Sequence, residues 1–258
     1  MQAREPINNP TIDDVAAHTR RMDSLMRVMA RMAHDMNNLL GGVTGNVELG
    51  LDDVTPEHPV YESLIEIRKA ADRSVERIKR FRYIAARAAI SPTRFSLAEW
   101  LPAVCSKILA QSDDGQVQCE HIIPVGETGA VAADQALLKV ALTELCANAC
   151  RAVLGAAQAR ITIAVKTVNC PSGPPSAYLA AAPGSYVRLR VQDNGCGIPP
   201  EQQPMALEPF FSAWPKMGRE EGMGLAIVYG IVRQHGGSIQ IESVPGQGTR
   251  IDLYLPAA

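Results

Sequence analysis

The sequence predicts an α+β protein: an antiparallel helical hairpin, able to form a four-helix bundle in a dimer, followed by an α/β sandwich. Three observations carry that expectation. Apolar residues recur at alternating steps of four and three through the first third of the chain. Past Ser91-Pro92 the period drops to two in short segments. With 258 residues, 47% hydrophobic and 20% charged, the chain has the apolar material for two modest domains and is not a disordered polymer.

Residues 11 to 90 read as helical. Thr11 with Asp14 three residues on resembles a capping box, and Pro10 breaks anything before it. A heptad seam then runs through Met22, Met26, Met29, Ala33, Met36, Leu40, Val43 and Val47. Gly41, Gly42, Gly45 and Gly50 each weaken the helix by about 1 kcal/mol relative to Ala, so packing has to hold it. Asp52 to Pro56 reads as a turn, with Thr55 as cap and Pro56 opening the next helix. A second seam follows through Val60, Leu64, Ile67, Ala71, Ser74, Ile78, Phe81 and Ala85. Two such helices bury more when two copies pair, so a homodimer is expected.

Beyond Pro92, strands are expected at 117–121, 161–165, 186–191, 238–243 and 249–255, the last two joined by Pro245-Gly246-Gln247-Gly248. Helices fit at roughly 97–111, 134–154 and 224–236. The Pro-, Ala-, Ser- and Gly-rich stretch from Cys170 to Gly184 reads as a surface loop. The expected organisation is an N-terminal arm at 1–20, a hairpin at 21–91 and a second domain at 92–258.

Composition narrows the functional classes. A net charge of −2 and a pI near 6.2 lack the basic excess of a nucleic-acid coat. No apolar run approaches the roughly 20 residues that span a bilayer, and Met1 to Pro10 lacks the apolar centre of a secretion signal. The six cysteines (105, 119, 146, 150, 170 and 196) form no C-x-x-C pair, so they read as reduced thiols of a cytoplasmic protein.

Four constellations can carry chemistry. On the first helix, His34-Asp35-Met36-Asn37-Asn38 places His34 beside the seam and facing outward, with Asn38 one turn later on the same face. An imidazole with an ordinary pKa of about 6.5 is mostly neutral at pH 7 and nucleophilic. Asp35 can hold one ring nitrogen protonated and so present the other. On a later helix, Glu144, Asn148 and Arg151 share a face, a carboxylate, an amide oxygen and a cation that suit a Mg²⁺–triphosphate. After a strand, Asp193-Asn194-Gly195-Cys196-Gly197 puts a carboxylate at a pocket base, with glycines that let the backbone approach a flat ligand. Last, Gly222-Met223-Gly224 opens a helix whose amides and dipole favour phosphate. Between the last two, Glu208-Pro209-Phe210-Phe211, Pro215, Gly218 and Arg219 read as a mobile lid, with Phe210 or Phe211 as anchor and Lys216 or Arg219 as phosphate contacts.

In this order, the four constellations resemble the transmitter region of bacterial two-component sensor histidine kinases. Residues 33–40 look like its phospho-acceptor box, Asn148 like the key residue of its asparagine box, and Asp193, Gly195 and Gly197 like its first glycine box. Phe210-Phe211 resembles the phenylalanine box, and Gly222 to Leu225 the second glycine box; the likeness covers roughly 25–256. The resemblance implies an ATP-binding domain of the gyrase and Hsp90 type, with ATP and Mg²⁺ as cofactors. It implies autophosphorylation of His34, onward transfer to an aspartate of a response-regulator receiver domain, and Asp193 accepting from the adenine amino group. Asn148 and Glu144 would hold Mg²⁺, the amides near Gly222 and Gly224 the phosphates, and Asn38 a water that dephosphorylates the receiver.

Three departures stand out. Glu144 replaces the usual Asn or His, which opens a reading as a gyrase- or Hsp90-type ATPase. Glu220 stands where another glycine is common, which opens a reading as a phosphotransfer adaptor without nucleotide binding. No sensor or receiver domain accompanies the motifs, so the chain is expected to be either a kinase that takes its signal from a separate sensor or upstream partner, or a piece of a longer kinase, with no nucleic acid or membrane involved.

Overall fold

The computed structural model describes residues 12–86, 88–112, 117–156, 158–212 and 222–258. Two compact units emerge: one takes the residues up to Met22 together with Ala89–Ala258, the other Asp23–Ala88.

The smaller unit is built from two helices, α1 (Ile12–Asp52) and α2 (Tyr61–Ile84). Met26, Met29, Ala33 and Val47 of α1 are buried, as are Ala71, Ile78 and Ile84 of α2 and Ala85 just beyond it. Other members of the same seams face outward: Met36 is 42% exposed, Val43 43% and Ile67 46%. Thr55 and Pro56 do not start α2, contrary to the sequence expectation; the N-cap is Val60. Pro59 disfavours helical backbone at the residue before it, and regular helix begins only beyond it, at Tyr61. Thr55 instead hydrogen-bonds the Glu57 carboxyl and holds it below its usual pKa. The expected capping residue Thr11 lies outside the described residues.

The larger unit contains β1 (Thr93–Ser96), α3 (Leu97–Ser112), β2 (Gln118–Ile122), β3 (Ala130–Ala133), α4 (Gln135–Ala152) and β4 (Arg160–Cys170). It continues with β5 (Gly184–Asp193), a 3₁₀ turn (Gln203–Met205), α5 (Gly224–Gln234), β6 (Ser238–Val244) and β7 (Gly248–Pro256). Five strands form one mixed sheet in the order β2-β4-β5-β7-β6, with β2 parallel to β4 and the other pairs antiparallel. A separate antiparallel pair, β1 and β3, lies outside this sheet. Alternate residues of β4 and β5 (Ile161, Ile163, Val165; Val187, Leu189, Val191) are buried, as period-two patterning requires. They belong to the same core as Leu138, Leu142 and Leu145 of α4 and Ile227 and Ile231 of α5.

Asp134 joins three parts of this unit. Its Oδ1 caps α4 by accepting from the Ala136 and Leu137 amides, and its Oδ2 accepts from Ser91 N–H at 2.8 Å. Its own amide donates to His235 Nε2 at 3.0 Å, just past the end of α5. Burial pushes the Asp134 pKa up, but those amides outweigh it and hold the carboxyl below its usual value.

The stretch between β4 and β5 is more than a surface loop. Pro174, Tyr178 and Leu179 are buried. Ser176 Oγ donates to Ile239 O, Ser238 Oγ to Leu179 O, and Tyr178 OH to Gln203 O. All six cysteines are outside disulfides. Among the described residues, no helix is long and apolar enough to cross a membrane.

Candidate functional site

His34 sits on α1 and is 74% exposed at its side chain. Its Nδ1 lies 3.2 Å from Asp35 Oδ1 and 3.5 Å from Asn38 Nδ2, so both neighbours cluster at one ring nitrogen. The Asn38 contact is at the limit of a hydrogen bond, and the carboxylate is the stronger partner. With Nδ1 donating to Asp35, the Nε2 lone pair points away from both groups and is the nucleophilic position.

In the larger unit, three segments meet around the start of α5. A Cβ placed on Gly224 would stand 2.9 Å from Glu144 Oε2 and 3.4 Å from Asn148 Nδ2. The helix N-terminus therefore lies directly against the side-chain ends of Glu144 and Asn148 on α4. Asn148 Oδ1 accepts from Arg151 Nη1 at 2.9 Å, so the expected trio of Glu144, Asn148 and Arg151 is a contiguous polar face. Gly222 has φ +62, and a Cβ there would lie 2.5 Å from Phe211 O, which packs the phenylalanine pair against the loop leading into α5.

Asp193 ends β5 with only 7% of its surface exposed. Its Oδ1 accepts from Gly195 N–H at 2.8 Å and Thr249 N–H at 3.2 Å. Burial raises its pKa above the usual carboxylate value, against the lowering effect of those amides. The glycines beside it are enforced by contact. A Cβ on Gly195 would lie 2.2 Å from Ala152 O, and one on Gly197 (φ +69) 2.2 Å from Val244 O. Backbone from α4, β5 and the β6–β7 hairpin therefore converges on Asp193.

The larger unit thus brings together Glu144, Asn148, Arg151, Gly222 and Gly224, and separately Asp193, Gly195 and Gly197. His34, Asp35 and Asn38 lie together in the smaller unit. Phe210 is 63% exposed with φ +68, within the turn that Phe211 N–H closes by donating to Glu208 O. The expected lid residues Pro215, Lys216, Gly218, Arg219 and Glu220 lie outside the described residues. Sequence reasoning missed Gly248 and Thr249. Gly248 (φ +98) passes so close that a Cβ would stand 2.1 Å from Asp193 O, and Thr249 donates to the Asp193 carboxylate. The Gly-Gln-Gly run was a usable signal, but it reads equally well as a plain hairpin turn.

The residues fit a Mg²⁺–nucleotide. Mg²⁺ binds through one or two protein oxygens plus phosphates, and Glu144 with Asn148 offers that hard-oxygen pair beside a helix N-terminus. A nearly buried carboxylate flanked by close-packed glycine backbone suits a base with an amino edge.

Comparison with known proteins agrees in outline. Residues 133–258 match the family described as histidine kinase-, DNA gyrase B- and HSP90-like ATPase. The chain is 26% identical over 258 residues to the sensor kinase CckA of Brucella abortus, covering 99% of this chain and 27% of that one. It is 30% identical to the sensory histidine kinase/phosphatase NtrB of Vibrio alginolyticus, covering 87% of this chain and 60% of that one. A crystal structure of full-length ShkA in complex with AMPPNP shares the fold, with a TM-score of 0.60 at 18% identity, covering 90% of this chain and 46% of the other. The chain therefore spans between about a quarter and three fifths of the length of these curated relatives.

Proposed function

Since the chain is a two-component histidine kinase transmitter region with an ATPase domain of the histidine kinase, gyrase B and HSP90 kind, we propose that it is an ATP-dependent protein histidine kinase. It phosphorylates itself on His34 and passes the phosphoryl group to an aspartate of a response-regulator receiver domain. The observation that carries this is the meeting of Glu144 and Asn148 with the glycine start of α5, in a chain that also displays an outward His34 with Asp35 at Nδ1.

When bound, ATP supplies the phosphoryl group, and Mg²⁺ neutralises charge on its phosphates. The chain's residues do the rest. Asp193 accepts from the adenine amino group and so selects adenine over guanine. The amides at Gly222 and Gly224, with the α5 dipole, hold phosphate oxygens. Glu144 and Asn148 hold the metal, and Arg151 orients the Asn148 amide. Asp35 keeps the proton on His34 Nδ1, so Nε2 attacks in line. The N–P bond forms as the bond to the β,γ-bridging oxygen breaks, and ADP leaves with the electron pair. Asp35 then stabilises the positive ring. Asn38, one turn on, orients water for dephosphorylating the receiver.

The working form is a cytoplasmic homodimer. Support comes from the exposed seam members Met36, Val43 and Ile67, apolar groups that a second hairpin would cover. The signal enters from a separate sensor, or from a part of the protein beyond this region.

The test is incubation with γ-labelled ATP and Mg²⁺. The expected product is acid-labile label that is absent from His34→Ala and weakened by Asp193→Ala. Label retained by His34→Ala would overturn the assignment.

A further inference from the structure

Four of the six cysteines gather inside the larger unit, close enough to feel one another's charge, and none serves the nucleotide site described above. Cys105 lies on the buried stripe of α3 with Leu97, Leu101 and Ile108. Cys146 and Cys150 lie one turn apart on α4, and Cys119 is on β2, in register with the buried Ile161. Cys105 and Cys146 are both fully buried. Their thiols are hydrogen-bonded, so the two sulfurs touch across the seam between α3 and α4.

The surroundings separate Cys105 from its neighbours. The hydrogen bond from Cys146 outweighs burial and holds the Cys105 thiol below its usual pKa. Cys119 is only half-buried, but burial, with Cys105 and Cys150 nearby, pushes it up to about 11 and leaves it protonated near neutral pH. The easier thiol to reach is thus the poorer nucleophile, and the better one already has a second thiol at its sulfur.

We propose that Cys105 and Cys146 form a reversible, hydroperoxide-sensitive disulfide between α3 and α4 that slows phosphoryl transfer when it is closed. This rests on the kinase reading above. The co-reactant is hydrogen peroxide, small enough to enter through local openings of the seam. The Cys105 sulfur attacks one peroxide oxygen, the O–O bond breaks, and Cys105 becomes a sulfenic acid while the other oxygen leaves as water. The Cys146 sulfur then attacks the Cys105 sulfur. An S–S bond forms, the S–O bond breaks, and the hydroxyl leaves with the Cys146 proton as a second water. Two thiols and one peroxide give one disulfide and two waters, and an external thiol reverses the link.

The site would feel this closure because Cys146 stands midway between Glu144 and Asn148 on α4. A Cβ on Gly224 would lie 2.9 Å from Glu144 Oε2 and 3.4 Å from Asn148 Nδ2, so α4 and the start of α5 have little slack between them. A covalent S–S bond is much shorter than a contact between two thiols. Closing it draws that turn of α4 towards α3 and shifts Glu144 and Asn148 relative to Gly224. A misplacement of about 1 Å near reacting groups can cost roughly a hundredfold in rate.

The experiment uses the full chain, reduced, freed of reductant and treated with graded hydrogen peroxide before catalase is added. Peptide mapping by mass spectrometry reads the link, and the initial rate of His34 labelling reads its effect. A Cys105–Cys146 peptide pair two hydrogens lighter than the reduced pair should accumulate while the rate falls about ten- to a hundredfold. Dithiothreitol should restore both. Cys105→Ala and Cys146→Ala should label at the untreated wild-type rate and keep it after peroxide. Cys196→Ser, which removes the exposed thiol beside Asp193, should respond like wild type. Absence of the linked pair, a linked pair with an unchanged rate, or an equal loss of labelling in both alanine variants would each overturn the proposal. A reduced wild-type chain with no His34-dependent label would instead overturn the kinase reading. Mapping would then judge the disulfide, with calorimetric binding of an ATP analogue in place of labelling.

Discussion

The Asp193 carboxylate is held where water barely reaches, with the Gly195 and Thr249 amides both on Oδ1. Burial raises its pKa, so the folded state favours the protonated form more than the unfolded chain does. Its contribution to stability is therefore full at low pH and lost as the pH rises through the raised value. Asp193→Asn keeps an oxygen for both amides and removes the buried charge. At neutral pH it should melt no lower than wild type in a thermal denaturation scan, yet bind an ATP analogue at least tenfold more weakly by calorimetry. In the wild type, analogue affinity should start to fall at a pH above the usual carboxylate range. At Gly195 the effect is steric: a methyl group would collide with Ala152 O. Gly195→Ala should cost more than about 1 kcal/mol in chemical denaturation.

Among the elements, α4 and α1 respond in opposite ways to small changes. Asp134→Ala removes the α4 cap and leaves the Ser91 amide without its carboxylate, a loss of about 1–2 kcal/mol by urea titration. Because the Asp134 pKa is lowered, that contribution is present above the ordinary carboxylate value and disappears as the pH falls through the folded one. In α1, by contrast, nothing lies within 4 Å of a Cβ added to Gly45, opposite the seam, so Gly45→Ala should gain about 1 kcal/mol in the same titration. The long elements were legible in sequence because each carries many periods of one pattern: the α1 seam, the alternation of β4 and β5, the Leu-rich face of α4. The short β1 and β3 strands were not. Ala130-Val131-Ala132-Ala133 has no polar alternation, and its strand state comes from pairing with Thr93 to Ser96 some forty residues away. The site was legible where chemistry fixes residue type, as at His34, Asn148 and Asp193. It was hidden where only backbone acts, as at Thr249, or where a buried tyrosine sits in loop-like sequence, as at Tyr178.

For the molecule as a whole, the exposed half of the hairpin seams predicts association. Val43→Glu puts a charge into that stripe, so sedimentation velocity should find a dimer for the wild type at micromolar concentrations and monomers for the variant. The sequence places a boundary near Pro92, yet the nucleotide unit is discontinuous in the chain and borrows the opening of α1. A fragment cut at residue 92 would still contain every nucleotide-site residue named above. It would, however, bare the Tyr178 and Tyr229 faces that His18 covers, lose the buried Met22 from its core and leave Glu208 without Arg21. Such a fragment should bind nucleotide but be stickier and less stable than its length suggests. Adding residues 12–22 to it as a separate synthetic peptide should restore part of what was lost, since the surface that receives them is built entirely by the rest of the unit.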